Sequence, residues 1–176
     1  LAQPMFRGGV VQMNQGRQAT IGLIDEEERE ERRYPTISEA ANNPLSIKQI
    51  LGEDGSVQSQ DWEGERGTYT SRRGDQFVDF DAPEYSFRGA DRVLRTGLRK
   101  HKADTLSKAI NRYAPPEGDT GYKNPTQKYI DYLSQATGID PHQKLDFEDP
   151  ITRSKIVAPM AFFESETVVT PEQVRD

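Results

Sequence analysis

Apolar residues along this chain keep a regular period over only part of its length. Phe87, Ala90, Leu94 and Leu98 recur at spacings of three and four, which predicts an amphipathic helix running to about Arg99. Asp81 stands where its N-cap belongs, with Pro83 and Glu84 in the first turn, where a missing N–H is harmless and a carboxylate meets the positive helix end. Just before it, residues 76–80 alternate as a strand does, with Phe77 and Phe80 inward. A second helix is expected from Thr105, striped by Leu106, Ala109, Ile110 and Tyr113 and stopped by Pro115 and Pro116. Asn124 is expected to cap a third, with Tyr129, Ile130, Leu133 and Ala136 inward and Gly138 at its stop. A fourth begins at Asp149 and Pro150 and carries Ile151, Ile156, Val157, Met160 and Phe163; Pro159 should kink or divide it.

Elsewhere the period fails. Residues 1–41 show neither helical nor strand rhythm and read as an extended N-terminal arm, within which residues 25–33 offer a short, charge-paired helical stretch. Small apolar clusters at Val10, Val11 and Met13, and at Ile21, Leu23 and Ile24, are anchors by which such an arm docks on other chains. At Asn42 the character changes. An Asn-Pro turn leads into Leu45, Ile47, Ile50 and Leu51, a short helical turn or an extended pass against a core, and then into a long polar loop punctuated by Gly52, Gly55, Gly64, Gly67 and Gly74. The division expected is an arm over 1–41, a mainly α module with one minor β element over 42–166, and a tail over 167–176.

Composition agrees that part of the chain is not core: hydrophobic residues are 33% and charged residues 30% of the total, and the mean hydropathy is −0.86. The formal net charge of −6 disfavours a nucleic-acid partner, since phosphate neutralisation needs an excess of Lys and Arg. One local exception is the basic run of Arg88, Arg92, Arg95, Arg99, Lys100 and Lys102 against Asp91, read as a solvated helix face. There is no Cys, so neither disulfides nor a thiolate metal site enters, and His101 and His142 are too few for a multi-histidine centre. No apolar run reaches membrane-spanning length, so no membrane partner is expected. The glycine-rich phosphate loops, the zinc-protease helix motif and the G-x-S-x-G elbow are all missing, and residues 53–63 lack the ordered ligand positions of a calcium loop. No cofactor and no metal are expected.

Carboxylates are what remains. Glycan cleavage needs an acid to protonate the leaving oxygen, and Glu164 is the candidate: it ends the apolar run "MAFFE", where Phe162 and Phe163 would desolvate it and raise its pKa. The plainer alternative is a solvated or capping carboxylate. Trp62, the only Trp, is either a sugar-stacking platform or a core plug.

The segments "NNP", "WEG", "FVDFDAPEYSFRGADRVL", "TLSKAINRYAPPEGDTGYKNPTQKYIDYLSQATGI" and "MAFFE", in that order, resemble a module common in bacteriophage virion proteins and phage-associated endolysin-like proteins. The resemblance covers about Asn42 to Glu164. It implies a small lysozyme-like helical module and a place in the virion as a structural component, docked through its arm to capsid, portal or tail subunits. The alternative it implies is a virion-associated peptidoglycan hydrolase, of glycosidase or lytic transglycosylase type, with Glu164 as general acid and an acidic or polar partner from residues 53–65. Position by position, Asn42, Asn43 and Pro44 match the opening motif, Trp62 and Gly64 the W-x-G, and Glu164 the closing Glu; Asn42, Asn43, Trp62 and Tyr113 are the substrate-binding candidates. The chain departs from the pattern at Leu45 and Ser46, which replace Gly-Asn, at Gly118 and at Ser165-Glu166. These departures predict that substrate binding has decayed while the scaffold survived.

Overall fold

The computed structural model describes residues 35–58, 61–118 and 120–176. The expected arm lies outside them as far as residue 34, together with its charged stretch at 25–33 and both apolar clusters. Among the described residues the order is α1 (Ile37–Ala41), β1 (Ile50–Leu51), β2 (Val57–Gln58), β3 (Glu65–Thr70), β4 (Gln76–Phe80), α2 (Pro83–His101), α3 (Leu106–Tyr113), α4 (Thr126–Thr137), α5 (Pro150–Ser165) and α6 (Pro171–Arg175). The fold is mainly α, and residues from Ile37 to Asp176 form one compact unit.

The strand at 76–80 is β4, with Phe77, Val78 and Phe80 buried. Its partner was not legible: the stretch read as a long polar loop supplies β2 and β3, while β1 comes from the preceding segment read as a helical turn or an extended pass against a core, where Ile50 and Leu51 are in fact exposed. Strands β1 and β2 form a small antiparallel hairpin, while β3 pairs antiparallel with β4 from Thr70 opposite Gln76 to Glu65 opposite Phe80, with an irregularity between Glu65 and Gly67. Strand β3 alternates only between half-buried and exposed residues, so it carries no apolar signal of its own and exists because β4 offers it an edge. Gly64 closes the turn into β3. Its φ of +71° lies in the left-handed region, and a Cβ there would stand 2.2 Å from the Tyr85 ring, so both backbone and packing demand glycine.

Two expected caps move. Pro83 takes the first position of α2, which makes Ala82 the N-cap, while the Asp81 backbone N–H donates to the Gly64 carbonyl. At α4 the N-cap is Pro125; Asn124 instead donates its side-chain amide to the Pro115 carbonyl at 2.6 Å and its backbone N–H to Pro116, pinning the Ala-Pro-Pro corner. Thr105 caps α3 as expected, accepting from the Lys108 N–H, and Asp149, read only as the start of the fourth helix, caps α5 by accepting from the Ile151 and Thr152 N–H groups. Helix α5 passes through Pro159 undivided and ends with Glu166 in the left-handed conformation.

The core gathers Leu45, Ile47, Val78, Phe80, Leu94, Leu106, Ile110, Tyr129, Ile130, Leu133, Ile156, Val157 and Met160. Ala136 and Ile151, expected inward, are exposed, Ile151 at 50%. In the stretch read as a tail, α6 is held by a capping box between Thr170 and Gln173, and it buries Val174. One internal charge organises the helices: Arg153, buried, donates to Asp91 at 2.6 Å and to the Phe147 and Glu148 carbonyls at 2.7 and 2.9 Å.

Candidate functional site

The Asn-Asn-Pro turn forms a corner against the end of α5. Asn43 is fully buried, and a buried amide must be partnered. Its Nδ2 donates to the Ile47 carbonyl at 2.9 Å and the Val78 carbonyl at 2.8 Å, while its Oδ1 accepts from Ile47 N–H at 2.8 Å and Ser86 Oγ at 3.1 Å. Asn42 ties the corner to β4 by donating to the Phe80 carbonyl at 2.9 Å. The Tyr113 hydroxyl donates to the Leu45 carbonyl, and Ser165 Oγ to the Pro44 carbonyl at 2.9 Å. These bonds hold Ser46 at a φ of +52°, a conformation that Asn adopts more readily than most residues; it is the position where the phage pattern has its Asn.

Ser46, so held, lies beside Glu164. Burial pushes the Glu164 carboxyl up to about 7, against the Tyr129 and Ser46 hydroxyls and the Lys48 charge, which hold it down. Burial and the Glu164 charge together push the Tyr113 and Tyr129 phenols well above their ordinary value. Phe163 stacks on Tyr129 with ring centroids 4.0 Å apart and supplies apolar cover on the cleft side. Phe162, expected to share that task, is 43% exposed and turns toward Tyr132 and a separate groove.

Glu164 opens on a cleft of about 760 Å³. Of the residues singled out from the sequence, Glu164, Trp62 and Tyr113 line it; Asn42 and Asn43 stand behind it and shape the corner. Among the described residues the acids at 53–65 do not line it: Glu63 pairs with Arg88, and Glu65 accepts from Gln49 at 2.7 Å. The other acid on the wall is Asp75, held by Lys48 Nζ and Thr120 Oγ1, each at 3.1 Å.

Sequence reasoning missed Lys48, Gln49, Asp75 and Tyr129. Gln49 is buried, and its Nε2 donates to Glu65 and to Thr68 Oγ1 at 3.1 Å, which fixes the amide and leaves Oε1 without a protein partner. The Trp62 indole N–H and the Tyr129 hydroxyl are likewise buried without a well-aligned partner, although Tyr129 lies close enough to Glu164 to lower its pKa. All three residues line this cleft. Trp62 is half-buried, with the Arg92 guanidinium 4.8 Å above its ring, an arrangement between platform and plug. No metal-binding cluster of three or more His, Asp or Glu occurs among the described residues, and no helix there is long and apolar enough to cross a membrane.

No family model matches the chain. It is similar to protein P5 of Pseudoalteromonas phage PM2, with 37% identity over 121 residues that make up 65% of this chain and 68% of P5. A match of that depth over two thirds of the relative reflects common descent, and a phage protein is what the five motifs led us to expect. The chain belongs to the family of the phage protein P5.

Proposed function

We propose that this protein is carried in the phage particle and that its cleft cleaves a cell-wall glycan, with Glu164 as the general acid. The observation that carries this reading is a carboxyl that keeps its proton up to about pH 7 on the wall of a cleft with room for sugar rings. Glu164 gives its proton to the glycosidic oxygen as the C–O bond breaks, and the positive charge develops on the ring carbon. The resulting carboxylate then takes a proton from the incoming nucleophile, either water, giving hydrolysis, or a hydroxyl of the same sugar, giving transglycosylation. Ser46, Lys48 and Tyr129 steady the carboxylate between the two steps, since all three favour its charged form. Asp75 belongs to the wall as a partner of Lys48. On this reading the helical module is of lysozyme-like type, as the five motifs imply.

Zymography on purified cell walls tests it. The wild type should leave a clearing zone, and Glu164→Gln should lower the rate by about 10²–10⁴-fold, the usual contribution of a positioned general acid.

A second reading makes the protein a structural component, docked through residues 1–41 onto capsid, portal or tail subunits. The phage relative and the replacement of the pattern's Gly-Asn by Leu45 and Ser46 favour it. Walls left intact by the folded wild-type chain, with residues 1–41 protected from protease only in particles, would decide for this second reading.

A further inference from the structure

The basic run along residues 88–102 is divided by the fold. Arg88 pairs with Glu63 at 2.5 Å, Arg99 grips Glu148 at 2.6 and 2.7 Å, and Asp91 goes to Arg153. Arg92, Thr96 and Lys100, spaced by four on α2, line the cleft instead, a stripe of roughly 12 Å at 1.5 Å per residue. His101 adjoins its far end. Arg112, from α3, joins the same wall: its Nε lies 4.0 Å from where a Cβ on Gly97 would stand. The Arg92 guanidinium is oriented over the Trp62 ring and donates to the Asp61 carbonyl at 3.3 Å. Lys100 and Arg112 are exposed, and neither has an ion-pair partner among the described residues. The acids on the cleft wall are Glu164 and Asp75, the latter already paired with Lys48.

A chain of net charge −6 thus turns a cluster of cations into the cleft that Glu164 lines. We propose that this α2 wall binds carboxylate groups carried by the polymer in the cleft, so that the substrate class is an anionic, carboxylate-bearing cell-wall glycan and its peptide substituents. The inference rests on reading the cleft as a glycan site. Carboxylates are favoured over nucleic-acid phosphates because the cations are few, sit inside a concavity beside two acids, and belong to an acidic chain that repels a long polyanion.

The test is sedimentation binding of the full chain to purified cell walls with free carboxylates and to the same walls after amidation, in the Glu164→Gln background so that nothing is digested. We expect free-carboxylate walls to bind about tenfold more tightly, a preference that falls between about 0.05 and 0.5 M salt. Lys100→Ala with Arg112→Ala should abolish the preference without shifting thermal unfolding, and Lys100→Arg with Arg112→Lys should restore it. Equal binding to amidated walls, a double variant that keeps the preference, or tighter binding to duplex DNA than to walls would each overturn the proposal. Carboxylate-dependent binding without any wall cleavage by the wild type would sink the hydrolase reading and leave this one standing.

Discussion

The Asn43 corner and the Glu164 wall of the cleft touch, yet they treat polar atoms in opposite ways. Every hydrogen-bonding atom of the Asn43 side chain is engaged inside the fold. Next door, Gln49, Trp62 and Tyr129 each keep a buried polar atom without a well-aligned partner, and Glu164 is held in surroundings that raise its pKa. A buried polar group that is fully bonded contributes specificity to the fold, whereas unpartnered ones cost stability and persist where a site needs them. The contrast sorts the motif residues into a fully bonded scaffold and the wall of the candidate cleft. Position in the motif does not.

The largest effect expected from breaking the scaffold side is at Asn43. Asn43→Ala strands two carbonyls, one backbone N–H and the Ser86 hydroxyl in the core, and urea unfolding should report a loss of about 4 kcal/mol. A loss below about 1 kcal/mol would mean that the corner is held by something else.

The chemical side should show itself through pH. Unfolded, the Glu164 carboxyl titrates at about 4.5; folded, at about 7. Below pH 4.5 both states are protonated and the group contributes nothing to stability. Between 4.5 and 7 the folded chain binds more protons than the unfolded one, so stability falls as pH rises, and above 7 the full penalty of about 3 kcal/mol is present. Glu164→Gln removes that slope. The variant should therefore match the wild type near pH 4 and exceed it by about 3 kcal/mol at pH 8; parallel curves across that range would show that the carboxyl is not desolvated.

A smaller effect sharpens the same contrast. Tyr129→Phe deletes a hydroxyl that has no aligned partner, so stability should change by less than about 1 kcal/mol, unlike at Asn43. Because that hydroxyl helps hold the Glu164 pKa down, its loss should move the alkaline limb of any wall-cleaving activity to higher pH. An unmoved limb would remove Tyr129 from the site.

Much of the helical part was legible in the sequence. The stripes on α2, α3 and α4, the cap at Thr105, the start at Asp149 and the stop at Gly138 rest on interactions within one or two turns, where local sequence carries the whole cause. Glu164 was legible because two aromatics precede it, although only Phe163 turns out to cover it. Strand β3 was not: its residues alternate without an apolar face, and its strand character comes from β4. Gln49 was equally hidden, since nothing around a lone Gln announces that Glu65 and Thr68 will fix its amide from sixteen and nineteen residues away.

By itself, then, the order of residues determined where helices start and stop, which of their faces are apolar, and which acid sits at the end of a greasy run, all consequences of spacing along one backbone. Tertiary structure alone decided which charges of the basic run on α2 are cancelled by Glu63 and Glu148 and which are turned into the cleft. It alone decided that Arg153 is buried against Asp91 and that Ser46, Lys48 and Tyr129 meet at Glu164. The reason is range: hydrogen bonds and charges act over a few ångströms, and only the completed fold brings distant parts of the chain that close.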